Sequence, residues 1–218
     1  METNSIVHQK QGGAAKALLE ASAHIPSLLL RLRDSLKTVP DISVEVKQHI
    51  DIVKAEIDRM LLEKNGLDKS KLKVSTITND FFLEKKDSYP DYGYLQIAAP
   101  ETTESIFQSK KVRFGLSYQG QNLTYLGHYH KAKELYIVLD NSTRTMKAMS
   151  WWTDTYPKWT ERNYSFHGEN ENHAMSTQNT NNSGTLFFWS WTGDLVLDVK
   201  HSSKDVQNHL HTVNESKL

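Results

Sequence analysis

The spacing of apolar residues in the first part of the chain predicts helices. Between residues 14 and 39, leucine, isoleucine and alanine recur three or four positions apart, which is the spacing of one buried helix face. Pro26 lies inside this pattern, and proline lacks the backbone N–H that a helix interior needs. We therefore expect either one kinked helix or two successive helices in this stretch.

A second apolar stripe follows between residues 46 and 61 and predicts another helix. Asp41 or Ser43 is a candidate N-cap, and Asn65 with Gly66 supplies an end signal at about residue 64. The two helical stretches read as a hairpin that covers another part of the protein. A homodimer through this apolar face is the alternative, because a stripe of this kind serves either purpose.

Beyond residue 66 the pattern changes to short runs rich in aromatic and branched residues, separated by turn residues. The predicted strands cover residues 94–97, 112–116, 135–139, 185–189 and 195–199. Many short strands of this kind favour a sandwich or barrel over an alternating βαβ sheet. We expect a helical segment at residues 1–66 that packs on a β-barrel domain at residues 67–218.

Composition narrows the classes of partner. The chain has 218 residues, with 26 lysines and arginines against 26 acidic residues. It therefore has no excess of positive charge that would attract nucleic acid. The longest apolar run, residues 135–139, is too short to span a bilayer as a helix. The first residues lack the apolar core of a signal peptide. We expect a cytoplasmic protein without nucleic-acid or membrane partners.

The chain contains ten histidines and no cysteine. The lack of cysteine excludes disulfides, thiolate nucleophiles and cysteine-based metal sites. Any metal site must therefore use imidazole nitrogen and carboxylate oxygen.

One stretch contains those donors in a suggestive order. His128 and His130 are two apart, so on a strand they project to the same face, and Glu134 and Tyr136 do so in turn. We expect the strand of Glu134 to return beside the first strand after a short turn. Two or three histidines with a carboxylate suit Zn, Fe(II), Mn or Ni and leave positions for a ligand.

A further ligand is expected from a distant strand, and two histidines compete for this position. His173 begins a strand-like segment, whereas His167 stands beside Gly168 and reads as a turn residue or a hydrogen-bond partner of a ligand. We favour His173. The other six histidines lie in helical or terminal segments, and we expect them to be solvated: His8, His24, His49, His201, His209 and His211.

The pattern HxHxxxE followed by a distant histidine resembles the cupins, which are small antiparallel β-barrels. The stretches at residues 125–136, 173–175 and 189–195 more narrowly resemble the cupin-type dimethylsulfoniopropionate (DMSP) lyases, which cleave DMSP to dimethyl sulfide and acrylate. The resemblance implies a mainly β, cupin-like antiparallel barrel preceded by a helical segment. It also implies one divalent transition metal held by four ligands: His128, His130, Glu134 and His173.

The same resemblance makes Tyr136 the catalytic base and Tyr125 an active-site residue. DMSP is a small zwitterion with a sulfonium cation, which aromatic faces attract. Tyr129, Trp189 and Trp191 are the candidate substrate-binding aromatics. Two other functions stay open: another metal-dependent cupin enzyme, such as an oxygenase or isomerase, and a non-catalytic cupin that binds a small ligand.

Overall fold

A computed structural model describes residues 13–40, 43–63, 71–75, 82–83, 91–100, 105–121, 123–139, 149–155, 158–177 and 184–202. Three helices come first: α1 (Gly13–Ala21), α2 (Ile25–Ser35), which runs on into a short 3₁₀ turn (Leu36–Thr38), and α3 (Val44–Leu62). None of the helices in these ranges has both the length and the apolar character needed to cross a membrane.

Of the two expected alternatives, one kinked helix or two successive helices, the second is confirmed. The helical pattern breaks at residues 22–24, and proline occupies the first turn of α2, where its missing N–H costs nothing. His24 is the N-cap, and its Nδ1 accepts a hydrogen bond from the Ser27 amide. Ser43 caps α3 as one of the two predicted candidates. The predicted end signal at residues 65–66 lies outside the described residues.

The described residues form two six-stranded sheets. The first contains β1 (Phe82–Leu83), β5 (Thr124–Tyr129), β7 (Met149–Thr153), β8 (Thr160–Glu161), β10 (His173–Thr177) and β12 (Lys200–His201). The second contains β2 (Tyr92–Ala99), β3 (Phe107–Gln108), β4 (Arg113–Gln119), β6 (Ala132–Val138), β9 (Tyr164–His167) and β11 (Thr185–Gly193).

The first sheet has the order β1-β5-β10-β7-β8, with β12 also paired to β5, and the second has the order β3-β2-β4-β11-β6-β9. The strand pairs are antiparallel except for β2 with β3. Most neighbouring strands are not consecutive along the chain, as expected when a chain passes back and forth between two sheets; among the described strands, β2 with β3 and β7 with β8 are the exceptions. The predicted fold class, a mainly β, cupin-like antiparallel barrel preceded by a helical segment, is confirmed.

Strand β11 is apolar over most of its length because both of its faces are buried. Leu186 and Phe188 face outward and pack into the same core as the helices. Phe187, Trp189 and Trp191 face inward and form a second core between the sheets. The alternation with period two is therefore present, but both faces carry large hydrophobic side chains, and the outward face also carries the buried polar residues Ser190 and Thr192.

The helices cover the outer face of the second sheet. Leu18 of α1 and Leu32 of α2 belong to one buried cluster with Phe114 of β4. The helical segment is therefore packed on the barrel. The division of the chain at residue 66 stays a prediction, because residues 64–70 lie outside the described part.

Because Gly115 of β4 has no side chain, Leu95 of β2 and the ring of Trp189 can both lie close to it. A Cβ atom there would lie 1.9 Å from the carbonyl oxygen of Leu95 and 2.9 Å from the indole of Trp189. The glycine therefore lets β2 pair tightly with β4 and lets the Trp189 ring lie over the backbone of β4.

The predicted strand at residues 195–199 is wrong. Residues 194–199 carry no strand, and pairing resumes only with Lys200, opposite Tyr129 of β5. This stretch leaves β11 after Gly193, whose positive φ of 81° turns the chain away from the second sheet.

Candidate metal centre

The chain changes sheet between the two halves of the HxHxxxE pattern. Strand β5, which ends at Tyr129, pairs with β10, whereas β6, which begins at Ala132, pairs with β11 and β9. The expectation that the two strands lie side by side is therefore wrong. His130 directly follows β5 and Glu134 lies on β6, and Nε2 of His130 is 2.8 Å from Oε2 of Glu134.

The distant histidine joins this group through the antiparallel pairing of β10 with β5. His173 stands opposite His128 in the register, and the two ring centroids are 4.2 Å apart. One ligand atom from each of His128, Glu134 and His173 lies within 4.8 Å of the others. All three residues are buried, with at most 2% of their surface exposed.

The three histidines share one hydrogen-bonding arrangement. Each places Nδ1 near the backbone carbonyl of a residue two positions away: His128 to Leu126 at 3.0 Å, His130 to Ala132 at 3.0 Å and His173 to Glu171 at 2.9 Å. A carbonyl only accepts, so Nδ1 must carry the proton. In a neutral imidazole this leaves a lone pair on Nε2, which is the usual preparation of a metal-binding histidine.

These lone pairs face a carboxylate. Oε2 of Glu134 lies 2.8 Å from Nε2 of His130 and 3.2 Å from Nε2 of His173. Two acceptors at this separation repel unless a proton or a cation lies with them. Two donor atoms that each lie about 2.1 Å from one ion, at a right angle to each other, are about 3 Å apart. The cluster therefore fits a divalent transition metal, and its donors do not discriminate among Zn, Fe(II), Mn and Ni.

The electrostatic environment favours a neutral His128 and an ionised Glu134. Burial, aided by His173, holds the pKa of His128 well below its ordinary value of 6.5. Burial alone would raise the pKa of Glu134, but His130 and His173 outweigh it and hold that pKa well below 4.5. Neutral imidazole and ionised carboxylate are the forms that bind metals.

The expectation that His167 is a turn residue is wrong. It is the last residue of β9, is fully buried and stands opposite Glu134 in the register. Its ring stacks on His173 with centroids 4.0 Å apart and planes 10° apart, and neither of its nitrogens has a hydrogen-bond partner among the described residues. Because imidazole lone pairs lie in the ring plane, two stacked rings do not direct their nitrogens at the same ion.

A cavity of about 330 Å³ adjoins the cluster. Four of the sequence-predicted residues besides the ligands line it: Tyr125, Tyr136, Trp189 and Trp191. Tyr129 is not among the lining residues, and the alternation along β5 directs it to the face opposite His128. Its role as a substrate-binding aromatic stays a prediction without support from its position. The sequence reasoning missed seven lining residues: Tyr92, Tyr94, Gln96, Ser117, Leu197, Val199 and His201.

The two predicted catalytic tyrosines are almost fully buried. Burial, followed by the charge of Glu134, raises the pKa of Tyr136 well above its ordinary value of 10. Burial, followed by the neighbouring Tyr92, does the same to the pKa of Tyr125. Both phenols are therefore neutral in the metal-free protein. Tyr125 also packs against the cluster, with its ring centroid 4.3 Å from that of His128.

His49 is not solvated, contrary to the sequence expectation. Only 1% of its surface is exposed, and it lies between α3 and β11. Its Nε2 lies 2.9 Å from Oγ of Ser190, and its Nδ1 lies 2.9 Å from Oγ1 of Thr192. A signal was present, because residue 49 falls on the same helix face as Val46 and Val53.

His201 is half-buried and lines the cavity, so the expectation that it is solvated is also wrong. Burial lowers its pKa from the ordinary value of 6.5. Nothing in the surrounding sequence marks this position, because its contact with the cavity depends on the pairing of β12 with β5.

Comparison with known proteins gives structural likeness only. No protein-family model and no curated protein sequence matches the chain. A solved DMSP lyase structure is 20% identical, with 79% of this chain and 78% of that chain covered and a TM-score of 0.46. The DMSP lyase DddQ from Ruegeria pomeroyi is 16% identical, with 79% and 76% covered and a TM-score of 0.47. A polyketide cyclase from Streptomyces resistomycificus is 12% identical, with 71% and 97% covered and a TM-score of 0.48.

Proposed function

We propose that this protein is a metal-dependent carbon–sulfur lyase that cleaves DMSP to dimethyl sulfide and acrylate. The observation that carries the proposal is the position of Tyr136. It shares a strand face with Glu134, lines the cavity beside the cluster and has 5% of its surface exposed. A cation held by the neighbouring metal-binding side chains would favour the phenolate of Tyr136, which is suited to proton abstraction.

The cavity suits a small zwitterion. Its walls include four tyrosines and two tryptophans, whose ring faces attract a sulfonium cation at up to about 6 Å. Trp189 and Trp191 stand side by side in an edge-to-face arrangement, with centroids 6.1 Å apart. No lysine or arginine is among the described lining residues, so the walls do not repel the cationic end.

The reaction is a β-elimination. A divalent cation beside Tyr136 would favour its ionised form, so that the phenol proton is lost to solvent before the elimination. The phenolate Oη of Tyr136 then takes the proton from the carbon next to the substrate carboxylate, and the electron pair of that C–H bond forms the carbon–carbon double bond. The bond to sulfur breaks, and its electrons leave with dimethyl sulfide. A divalent metal held by His128, His130, Glu134 and His173 would supply positive charge that stabilises the developing negative charge. Tyr125 packs beside His128 and contributes to orienting the substrate.

The direct test is detection of dimethyl sulfide released from DMSP by the metal-loaded protein and by Tyr136→Phe. Loss of a general base lowers turnover by roughly 10²- to 10⁴-fold, and metal content should not change. If the parent protein releases no dimethyl sulfide, the lyase function is refuted. Equal release from both proteins would refute the role of Tyr136 alone.

The metal site is tested separately by metal content and affinity. His130→Ala removes a proposed ligand and should lower affinity strongly. His167→Phe is the matched control, because this residue is also a buried histidine of the cluster but its ring is stacked on His173. Unchanged affinity in His130→Ala would exclude His130 as a ligand.

A further inference from the structure

One wall of the cavity comes from the stretch of residues 194–202, which we call the strap. Leu197, Val199 and His201 occupy alternate positions and line the cavity. Val196, next to Leu197, is exposed over 66% of its surface. Lys200, next to His201, is also exposed. The strap therefore has an inner side that faces the cavity and an outer side that faces solvent.

The strap is held at both ends. At its start, the carbonyl of Leu195 accepts a hydrogen bond of 3.1 Å from Nε of the buried Arg113. At its end, the amide of Ser202 donates to the carbonyl of Gly127 over 2.9 Å. Residues 196–199 between these anchors belong to no strand. The inner side chains can thus differ in size without disturbing a sheet.

His201 places one end of the strap close to the candidate metal centre. It stands opposite His128 in the pairing of β12 with β5, and the two ring centroids are 6.3 Å apart. Leu197 is 51% exposed although it lines the cavity, so it stands where the cavity opens to solvent. A molecule beside the cluster would therefore have an imidazole at one end and aliphatic side chains along its flank.

We propose that the strap is the specificity-determining wall of the cavity. Leu197 and Val199 limit the size of the ligand, and His201 forms a hydrogen bond with its polar end. The choice of DMSP as ligand rests on the proposed function, but the position of the wall does not. The strap acts on binding, so its alteration changes KM rather than kcat.

The experiment compares inner and outer side chains of the same strap. Leu197→Ala and Val199→Ala should raise KM for DMSP several-fold and reduce discrimination against the S,S-diethyl analogue, with kcat changed less than twofold. His201→Phe should raise KM at least as much. Val196→Ala and Lys200→Ala are the matched outer controls and should leave both constants unchanged. Equal effects of inner and outer substitutions, or none, would overturn the proposal.

A second measurement does not depend on lyase activity. The rate at which EDTA removes the metal reports access to the cavity, and Leu197→Ala with Val199→Ala should increase it several-fold while Val196→Ala does not. If no variant and no parent protein cleaves DMSP, the lyase function falls and the chelation rates alone decide the role of the strap. Equal chelation rates in the parent protein and the inner variant would refute it.

Discussion

His49 makes the stability of the fold depend on pH. Burial lowers its pKa from the ordinary value of 6.5 to about 4, with a smaller opposing influence from Glu134 and a small lowering by Lys133. In the unfolded chain the same imidazole titrates near 6.5. Between pH 6.5 and about 4 the unfolded state therefore binds more protons than the folded state, and stability must fall as the pH falls.

The size of the effect follows from the two pKa values. The interval from 6.5 to about 4 corresponds to about 3 kcal/mol, at about 1.4 kcal/mol per pH unit. Both partners of His49 are hydroxyl groups, Ser190 and Thr192, which accept hydrogen bonds as readily as they donate them. A protonated ring would keep both hydrogen bonds, so the cost comes from placing its charge in a buried site.

The assay is urea unfolding of the parent protein and of His49→Gln at pH 7, 6, 5 and 4. Glutamine has no titrating group, but its amide can still bond both hydroxyls. The difference in unfolding free energy between the two proteins should shift by about 3 kcal/mol against the parent protein from pH 7 to pH 4. Other buried histidines titrate in both proteins and cancel. Parallel pH curves would refute the assignment of this effect to His49.

Four further substitutions have defined outcomes in thermal or urea unfolding. Gly115→Ala places a Cβ against the backbone of Leu95 and should cost more than about 3 kcal/mol, whereas Gly168→Ala, with its nearest atom at 3.8 Å, should cost less than about 1 kcal/mol. His167→Phe removes two buried nitrogens that have no partner within the described part of the chain, so the metal-free protein should be equally or more stable, and a large loss of stability would contradict this. Ser43→Ala removes the cap of α3 and should cost about 1 kcal/mol; no loss would show that the cap bond is not formed in solution.

The helices were predictable because each exposes one face to water and buries the other. Because of that asymmetry, apolar residues recur along the sequence with the helical period, and Pro26 marks the break before α2. Strand β11 was identified from its aromatic and branched residues rather than from alternation, since both of its faces are buried. The stretch at residues 195–199 is also rich in branched residues, but among the described residues strand pairing resumes only at Lys200.

The residues that form the cluster could be named from the sequence, whereas the way they come together could not. Two residues two apart on a strand share a face in any sheet, so His128 and His130 could be grouped without a fold. Whether the short connection before Ala132 returns in the same sheet or crosses to the other depends on long-range pairing with β10 and β11. His167 was misjudged for a related reason, since the adjacent Gly168 indicates a turn but not which way the preceding side chain points.

The two faces of β11 connect the helices to the metal centre. Trp191 faces the cavity and packs on His130, while Ser190 and Thr192 face the helices and are bonded to His49. Two polar groups on a buried face would be costly without a partner, and one imidazole satisfies both. The helical segment thus keeps water from the outer face of the sheet and fixes the strand whose inner face borders the cluster. A substitution at His49 should therefore disturb Trp191 fluorescence as well as stability, although the two side chains lie on opposite faces of the strand.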